Sequence, residues 1–164
     1  AAHYDRHGVP YDPFGGDPVT AEDLAQVAAD TGVELRRGDV LCVRFGWIAE
    51  YRRRAGAGDD MSAAVRRWSG LSGTESTARF LWDSGVAAVA ADNPAVERGP
   101  GAVEDGSLHR RLIPALGFAL AELLDLDPLA EACRRHEQWD FLFVGVPLPI
   151  RGGVSSPSNS VAIL

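Results

Sequence analysis

The chain has 164 residues, 46% of them hydrophobic and 24% charged, and this size and composition predict a single domain over residues 1–164 with its own apolar core. Its formal net charge is −7 and it contains no lysine, so neither nucleic acid nor an anionic membrane is expected as a partner. The longest basic run, residues 52–54, is explained by a solvated helix end.

The two cysteines, Cys42 and Cys133, lack CxxC spacing, so we expect neither a disulfide framework nor a structural zinc site. This favours a reducing, cytoplasmic location. No run of about 18 apolar residues predicts a membrane helix, and the first residues lack the basic-then-apolar order of a signal peptide. Because the sequence opens without an initiator methionine, we expect it to be a fragment of a longer protein.

The first third of the chain predicts a loop followed by a helix. Residues 1–19 are rich in proline, glycine, aspartate and aromatic residues and predict an ordered loop. Thr20 then caps a helix, with Asp23 at the capping-box position, and Gly32 ends it.

Helices and strands alternate through the rest of the chain. Residues 50–68 predict a helix, a flexible excursion and a second helix. Helix caps predict further helices over 72–85 and 128–135. Apolar, β-branched runs predict strands at 40–45, 86–92 and 140–148, the first two buried on both faces. Residues 147–164 are expected to form a C-terminal arm. This alternation predicts an α/β fold.

The stretch 107–126 carries a histidine and a carboxylate within an otherwise apolar segment. Ser107 suits the start of a helix, Pro114 cannot donate a backbone hydrogen bond inside it, and Gly117 suits its end. We therefore expect a short helix that ends near residue 116, with His109 in its first turn.

From residue 118 the pattern alternates, so Phe118, Leu120, Glu122 and Leu124 share one face of a predicted strand. A strand that folds back on the helix brings His109 and Glu122 to one pocket, where they could bind a divalent metal or share a proton. One continuous helix is an alternative, which would leave the two side chains about 140° apart. A surface histidine and a solvated glutamate are a second alternative.

Ligands of α/β folds bind at the loops that follow strands, so the segments 44–47, 92–97 and 147–153 are candidate pocket walls. Trp47 and Asp92 are the candidate substrate-binding residues within them. The structural alternatives are a tryptophan packed on the core, a polar turn and a glycine-rich connector.

Three motifs are more specific than the rest of the sequence: ADN-x-A-x-E at 91–97, an LH…G…E block over 108–122, and a closing PL-x-I-x-GG…SP-x-N. Together they resemble the C-terminal half of the cyclase family of metal-dependent hydrolases, the family of kynurenine formamidase and isatin hydrolase. The resemblance implies an α/β swivelling fold, incomplete because the N-terminal half with the metal motif is absent. It also implies a homo-oligomer.

The same resemblance implies the chemistry of the site. Members of the family bind zinc or manganese and hydrolyse amide or lactam bonds of small, often aromatic substrates. His109 and Glu122 match positions that act as catalytic and metal-binding residues, in the metal site or in proton transfer beside it.

The chain departs from the family at its principal metal ligands, which lie in an N-terminal His-x-Gly-Thr-His-x-Asp motif. His3 and His7 have HxxxH spacing, but Asp5-Arg6 and Val9 replace the Gly-Thr and Asp of the motif, and we interpret the spacing as coincidence. Two hypotheses follow. The chain is either the C-terminal part of a metal-dependent hydrolase, inactive by itself, or a non-catalytic remnant with a binding or assembly role.

Overall fold

The computed structural model describes residue 8 and the ranges 10–62 and 66–164. His3 and His7 lie outside these residues. Of the predicted N-terminal loop 1–19, the described part is irregular up to residue 17, but residues 18 and 19 form a short strand. The loop prediction fails there because the backbone of these two residues pairs with a strand 52 positions later, at residues 70 and 71.

The fold combines short helices with small, mostly parallel sheets. The helices are α1 (Ala21–Thr31), α2 (Trp47–Ala57), α3 (Glu75–Asp83), α4 (Leu108–Arg110), which continues as a π-helical turn (Arg111–Ala115), and α5 (Asp127–His136). The strands are β1 (Pro18–Val19), β2 (Val40–Val43), β3 (Gly70–Leu71), β4 (Ala88–Ala91), β5 (Ala119–Ala121), β6 (Leu142–Gly145) and β7 (Ser160–Ile163).

The sheets give the predicted α/β architecture. Strands β2, β4 and β5 form a parallel sheet in the order β2-β4-β5, and β1 pairs in parallel with β3. Strands β6 and β7 form an antiparallel ribbon, which we call the C-terminal ribbon. The predicted C-terminal arm 147–164 therefore contains a strand, β7, that returns to pair with β6.

Helix α1 confirms the predicted cap. The backbone N–H of Asp23 donates to Thr20 Oγ1 at 3.2 Å, and the backbone N–H of Thr20 donates to Asp23 Oδ2 at 2.8 Å. Gly32 ends the helix with φ of 69°, a left-handed conformation that glycine adopts at little cost.

The prediction for residues 50–68 needs correction. A single helix, α2, starts three residues earlier, and Gly58 ends it in the left-handed conformation. Among residues 58–62 and 66–68 the structure contains turns and a β-bridge in place of a second helix. The other predicted helices are confirmed, α3 within 72–85 and α5 around 128–135.

Burial follows the position of each strand in the sheet. The central strand β4 is buried, with Val89, Ala90 and Ala91 fully inaccessible. All four residues of β2 are only half-buried, because β2 lies at the edge of the sheet and has one paired neighbour. The prediction that residues 40–45 are buried on both faces is therefore wrong for the strand itself.

The core packs the helices that carry the site onto the central sheet. Its large buried residues include Leu24, Leu71, Leu81, Val89, Leu108, Leu112 and Phe118. Leu108 and Leu112 are fully buried and come from α4 and its π-helical turn. Each contributes roughly 1.5–3 kcal/mol of burial free energy, so this short helix is fixed by packing. None of the described helices has the length and apolar character needed to span a membrane.

Candidate active site

Three loops meet at one edge of the central sheet, because the parallel strands β2, β4 and β5 all end there. The segments 44–47 and 92–97 follow β2 and β4, and Glu122 follows β5. The structure thus brings together two of the three predicted pocket walls.

The helix that carries His109 begins and ends as predicted. Ser107 accepts a hydrogen bond from the backbone N–H of Arg110, which caps the first turn. Pro114 lies in the π-helical turn, and Gly117 leaves it with φ of 75°. His109 therefore sits in the first turn of a helix that stops before β5.

Glu122 lies one residue beyond β5, where we predicted a strand position. The end of β4 and the loop after it fix the backbone around Glu122, since the N–H of Leu123 donates to the carbonyl of Asn93 at 3.1 Å and that of Leu124 donates to the carbonyl of Ala91 at 3.0 Å. These bonds turn the Glu122 side chain toward α4.

The side chains of His109 and Glu122 meet. His109 Nε2 lies 2.9 Å from Glu122 Oε1, and each side chain is 33% exposed. The predicted contact between the two side chains is therefore present in the structure. It also excludes both alternatives, the unbroken helix and the solvated pair.

A third residue, Glu97, completes the cluster, although we did not predict it as a site residue. His109 Nδ1 lies 2.7 Å from Glu97 Oε1, so the imidazole is held between two carboxylates. The side chain of Glu97 is 14% exposed. Its place in the ADN-x-A-x-E motif was the available signal.

The electrostatics follow from these contacts. The hydrogen bond to Glu122, and then the one to Glu97, raise the pKa of His109 to about 9 against the effect of partial burial. Burial works to raise the pKa of Glu97, but hydrogen bonds from the His109 ring, two backbone N–H groups and Ser107 lower it to about 2. In the metal-free chain the site therefore holds an imidazolium beside an ionised Glu97 at neutral pH.

Comparison with known proteins identifies the family. The model of the Cyclase family matches residues 8–98, more than half of the chain. The chain belongs to the cyclase family. A solved structure described as the crystal structure of a novel cyclase is similar to it with a TM-score of 0.79 and 29% identity, over 97% of this chain and 51% of that one. No curated protein matches.

These matches confirm the predicted family and fold. Because the chain spans about half the length of the solved cyclase, it corresponds to part of that fold. The family match includes Glu97 but ends before His109, so for His109 and Glu122 the likeness rests on the structure.

The side chain of Asp92, a predicted substrate-binding residue, is buried. It is 1% exposed, and its two oxygens accept hydrogen bonds from the backbone N–H groups of Phe45 and Gly46 at 2.6 and 2.7 Å. Burial raises its pKa, although these bonds oppose the shift. The contacts give Asp92 the role of holding the start of α2, and they do not favour direct contact with a substrate.

Trp47 is also packed inside. It is 5% exposed, stacks on Tyr51 with ring centroids 5.0 Å apart and lies 5.6 Å from the ring of Phe14. Because Trp47 is buried, as Asp92 is, its contacts do not favour the predicted direct contact with a substrate. The third predicted wall, 147–153, belongs to the exposed connection of the C-terminal ribbon.

Proposed function

We propose that this chain supplies part of the active site of a metal-dependent hydrolase that cleaves amide or lactam C–N bonds of small, often aromatic substrates. The observation that carries the proposal is the hydrogen-bonded row Glu97–His109–Glu122 at the edge of the central sheet. Since the chain spans about half of the solved cyclase, the activity is proposed for the whole protein.

The row fits part of a metal site. Zinc and manganese accept imidazole nitrogen and carboxylate oxygen, and His109 Nε2 and Glu122 Oε1 face each other at 2.9 Å. A carboxylate on the other ring nitrogen is the usual support of a metal-bound histidine. In residues 10–62 and 66–164, no group of three or more His, Cys, Asp or Glu side chains could hold a metal. The chain therefore offers two donors, and further donors are expected from a motif that its sequence lacks.

A bound metal supplies a Lewis acid, which polarises the amide carbonyl and lowers the pKa of water to about 7. The chain's own residues handle protons. An amide nitrogen leaves only after it gains a proton, and a carboxylate can carry that proton if it is held in place. Glu122 Oε1, 2.9 Å from His109 Nε2, is the carboxylate that could carry this proton when it is not itself a metal donor, and Glu97 holds the opposite side of the ring at 2.7 Å.

Titration of zinc and manganese chlorides into the metal-free chain, followed by calorimetry, tests the metal part of the proposal. Because the described part of the chain offers only two donors, we expect weak binding, and His109→Ala and Glu122→Gln should each abolish it, since each removes one of the two donors. His136→Ala and Glu131→Gln are matched controls, since both residues lie on α5 away from the row and both are exposed. Binding that is equal in all variants would count against the proposal.

The coding sequence upstream of Ala1 gives a second test. We expect a His-x-Gly-Thr-His-x-Asp motif in the same reading frame, because two donors seldom hold zinc and catalytic sites use three protein ligands. A reading frame without this motif contradicts a catalytic role for the protein.

The second candidate function is a non-catalytic remnant of the fold with a binding or assembly role. Two observations favour it: the missing third donor among the described residues, and the exposed apolar face of the C-terminal ribbon. Metal analysis of the purified chain separates the candidates, since stoichiometric zinc or manganese counts against a remnant.

A further inference from the structure

The outer face of the C-terminal ribbon is apolar and exposed. Leu142 pairs with Ile163 and Val144 pairs with Val161, so these four side chains lie on one face, and all four are exposed. Nine of the 14 large apolar side chains that are exposed in the described residues lie at positions 142–164. Larger exposed apolar patches on soluble proteins mark contact surfaces, so the ribbon is the main candidate for one.

The sequence of the ribbon is that of strands covered on both faces. Strand β6 is apolar at the successive positions Leu142, Phe143 and Val144, whereas a strand with one solvated face alternates apolar and polar side chains. Arg151 is the only charged side chain in residues 141–164, although 24% of the whole chain is charged. The ribbon therefore lacks the polar face that a solvent-facing sheet carries.

The edges of the ribbon are also unprotected. In the described structure β6 and β7 pair only with each other, so each strand has an outer edge without a neighbour. Soluble proteins usually protect such edges with charged side chains, and neither β6 nor β7 contains one. Both the outer face and the edges are thus suited to contact with further polypeptide.

A groove remains between the ribbon and the start of α5. Its volume is about 380 Å³, and its walls include Leu126 and Leu129 near α5 and Phe143 and Ala162 of the ribbon. Ser160 Oγ, at the same groove, is buried and has no hydrogen-bond partner in the described structure. The ribbon is therefore not closed against its own domain, and the groove has room for side chains and a polar group of a further segment.

We propose that the outer face of the ribbon packs against a segment of the same polypeptide that corresponds to the unmatched half of the solved cyclase. That cyclase matches 97% of this chain with 51% of its own length, so about half of its fold has no counterpart here. A segment of that size needs an apolar face to pack on, and the ribbon holds most of the exposed apolar side chains. The inference does not depend on the proposed function, because it concerns packing and no reacting group.

A second copy of this chain is the competing occupant. Each copy carries a net charge of −7, which opposes self-association. The outer face of the ribbon is uncharged, so it offers no positive charge to offset that repulsion. These charges favour a segment of the same polypeptide over another copy.

Amide hydrogen exchange tests the contact without any substitution. The protein encoded by the complete reading frame is compared with residues 1–164 alone, and peptides that cover β6 and β7 are followed by mass spectrometry. We expect these peptides to exchange at least about tenfold more slowly in the complete protein, because covered strands open less often. Helix α1 is the internal reference, since this chain supplies both of its caps.

Leu142→Asp and Val103→Asp form a matched pair of variants. Each places a carboxylate at an exposed apolar position, the first on the ribbon and the second in the loop 101–106. In the chain alone, neither should shift the melting temperature by more than about 2 °C. In the complete protein, Leu142→Asp should lower it by more than about 5 °C, because the charge is buried without a partner, and Val103→Asp should not.

Four outcomes overturn the inference. The first is ribbon exchange that is equally fast in both proteins, and the second is an equal loss for the two variants in the complete protein. The third is a reading frame that adds no segment to this chain. The fourth is protection that rises with the concentration of the chain alone and is lost in Leu142→Asp, because a second copy is then the occupant. None of these readouts involves metal binding, so the proposed function can fail while this inference stands.

Discussion

The loop after β4 buries polar side chains, whereas the C-terminal ribbon exposes apolar ones. In the loop, Asp92 and Asn93 are 1% and 0% exposed. In the ribbon, Leu142, Val161 and Ile163 are 61%, 58% and 54% exposed. Burying polar groups costs free energy unless they are hydrogen-bonded, and apolar groups stabilise a fold only when they leave water. The loop therefore organises the site, and the outer face of the ribbon adds little to the stability of this chain.

The alternation along the two ribbon strands explains which face is exposed. Phe143 and Ala162 are paired and half-buried, so their face of the ribbon points inward. The outward face carries the exposed apolar pairs Leu142–Ile163 and Val144–Val161. Two-stranded ribbons are marginally stable by themselves, so the inward face holds the ribbon to the domain.

The largest expected effect comes from the same leucine-to-alanine substitution made in the core beneath the site and in the ribbon. Leu112→Ala removes a fully buried side chain under the site helix and should lower the free energy of unfolding by about 2–5 kcal/mol. Leu142→Ala, at a ribbon position that is 61% exposed, should change it by less than about 0.5 kcal/mol. Urea denaturation of both variants measures the difference. Equal losses would show that the outer face of the ribbon is covered in solution.

The next effect tests whether the buried carboxylate of the loop is structural. Asp92→Ala leaves the N–H groups of Phe45 and Gly46 without their acceptors and should cost about 1–3 kcal/mol. Asp125→Ala is the matched control, since Asp125 is 40% exposed and pairs with Arg52, a surface ion pair worth about 0–1 kcal/mol. A smaller loss for Asp92→Ala than for Asp125→Ala would contradict the structural role.

Local chemistry made parts of the fold predictable. The capping box of Thr20 and Asp23, and the break between Pro114 and Gly117, depend on neighbours within a few residues, and both are present in the structure. The break also places His109 opposite Glu122. The prediction that His109 lies opposite Glu122 therefore succeeded because it depends on residues close together in the sequence.

Long-range contacts limited the rest. Glu97 reaches His109 across the loop of residues 98–106, and no pattern in the sequence specifies the path of that loop. The apolar run at 140–148 predicts a strand, but an apolar strand does not reveal whether its outer face is covered. Trp47 packs against Phe14, and Asp92 accepts a hydrogen bond from the backbone of Phe45. Each of these partners lies in a distant part of the sequence.

The smallest expected effect is the pH dependence of stability that the site imposes on the metal-free chain. The pKa of Glu97 falls from 4.5 to about 2 on folding, so its contribution is complete above pH 4.5 and is lost as the pH falls toward 2. The pKa of His109 rises from 6.5 to about 9, so its contribution is complete below pH 6.5 and is lost as the pH rises through 9. Both contributions are complete between pH 4.5 and 6.5.

The difference between wild type and His109→Ala isolates this contribution from other titrating groups. The free energy of unfolding, measured by urea denaturation, should differ most between pH 4.5 and 6.5 and should converge as the pH approaches 9. The effect should be smaller than that of the core and loop variants, because His109 and Glu122 are each 33% exposed and solvent screens the pair. A constant difference from pH 6.5 to 9 would mean that the imidazole does not gain a proton on folding.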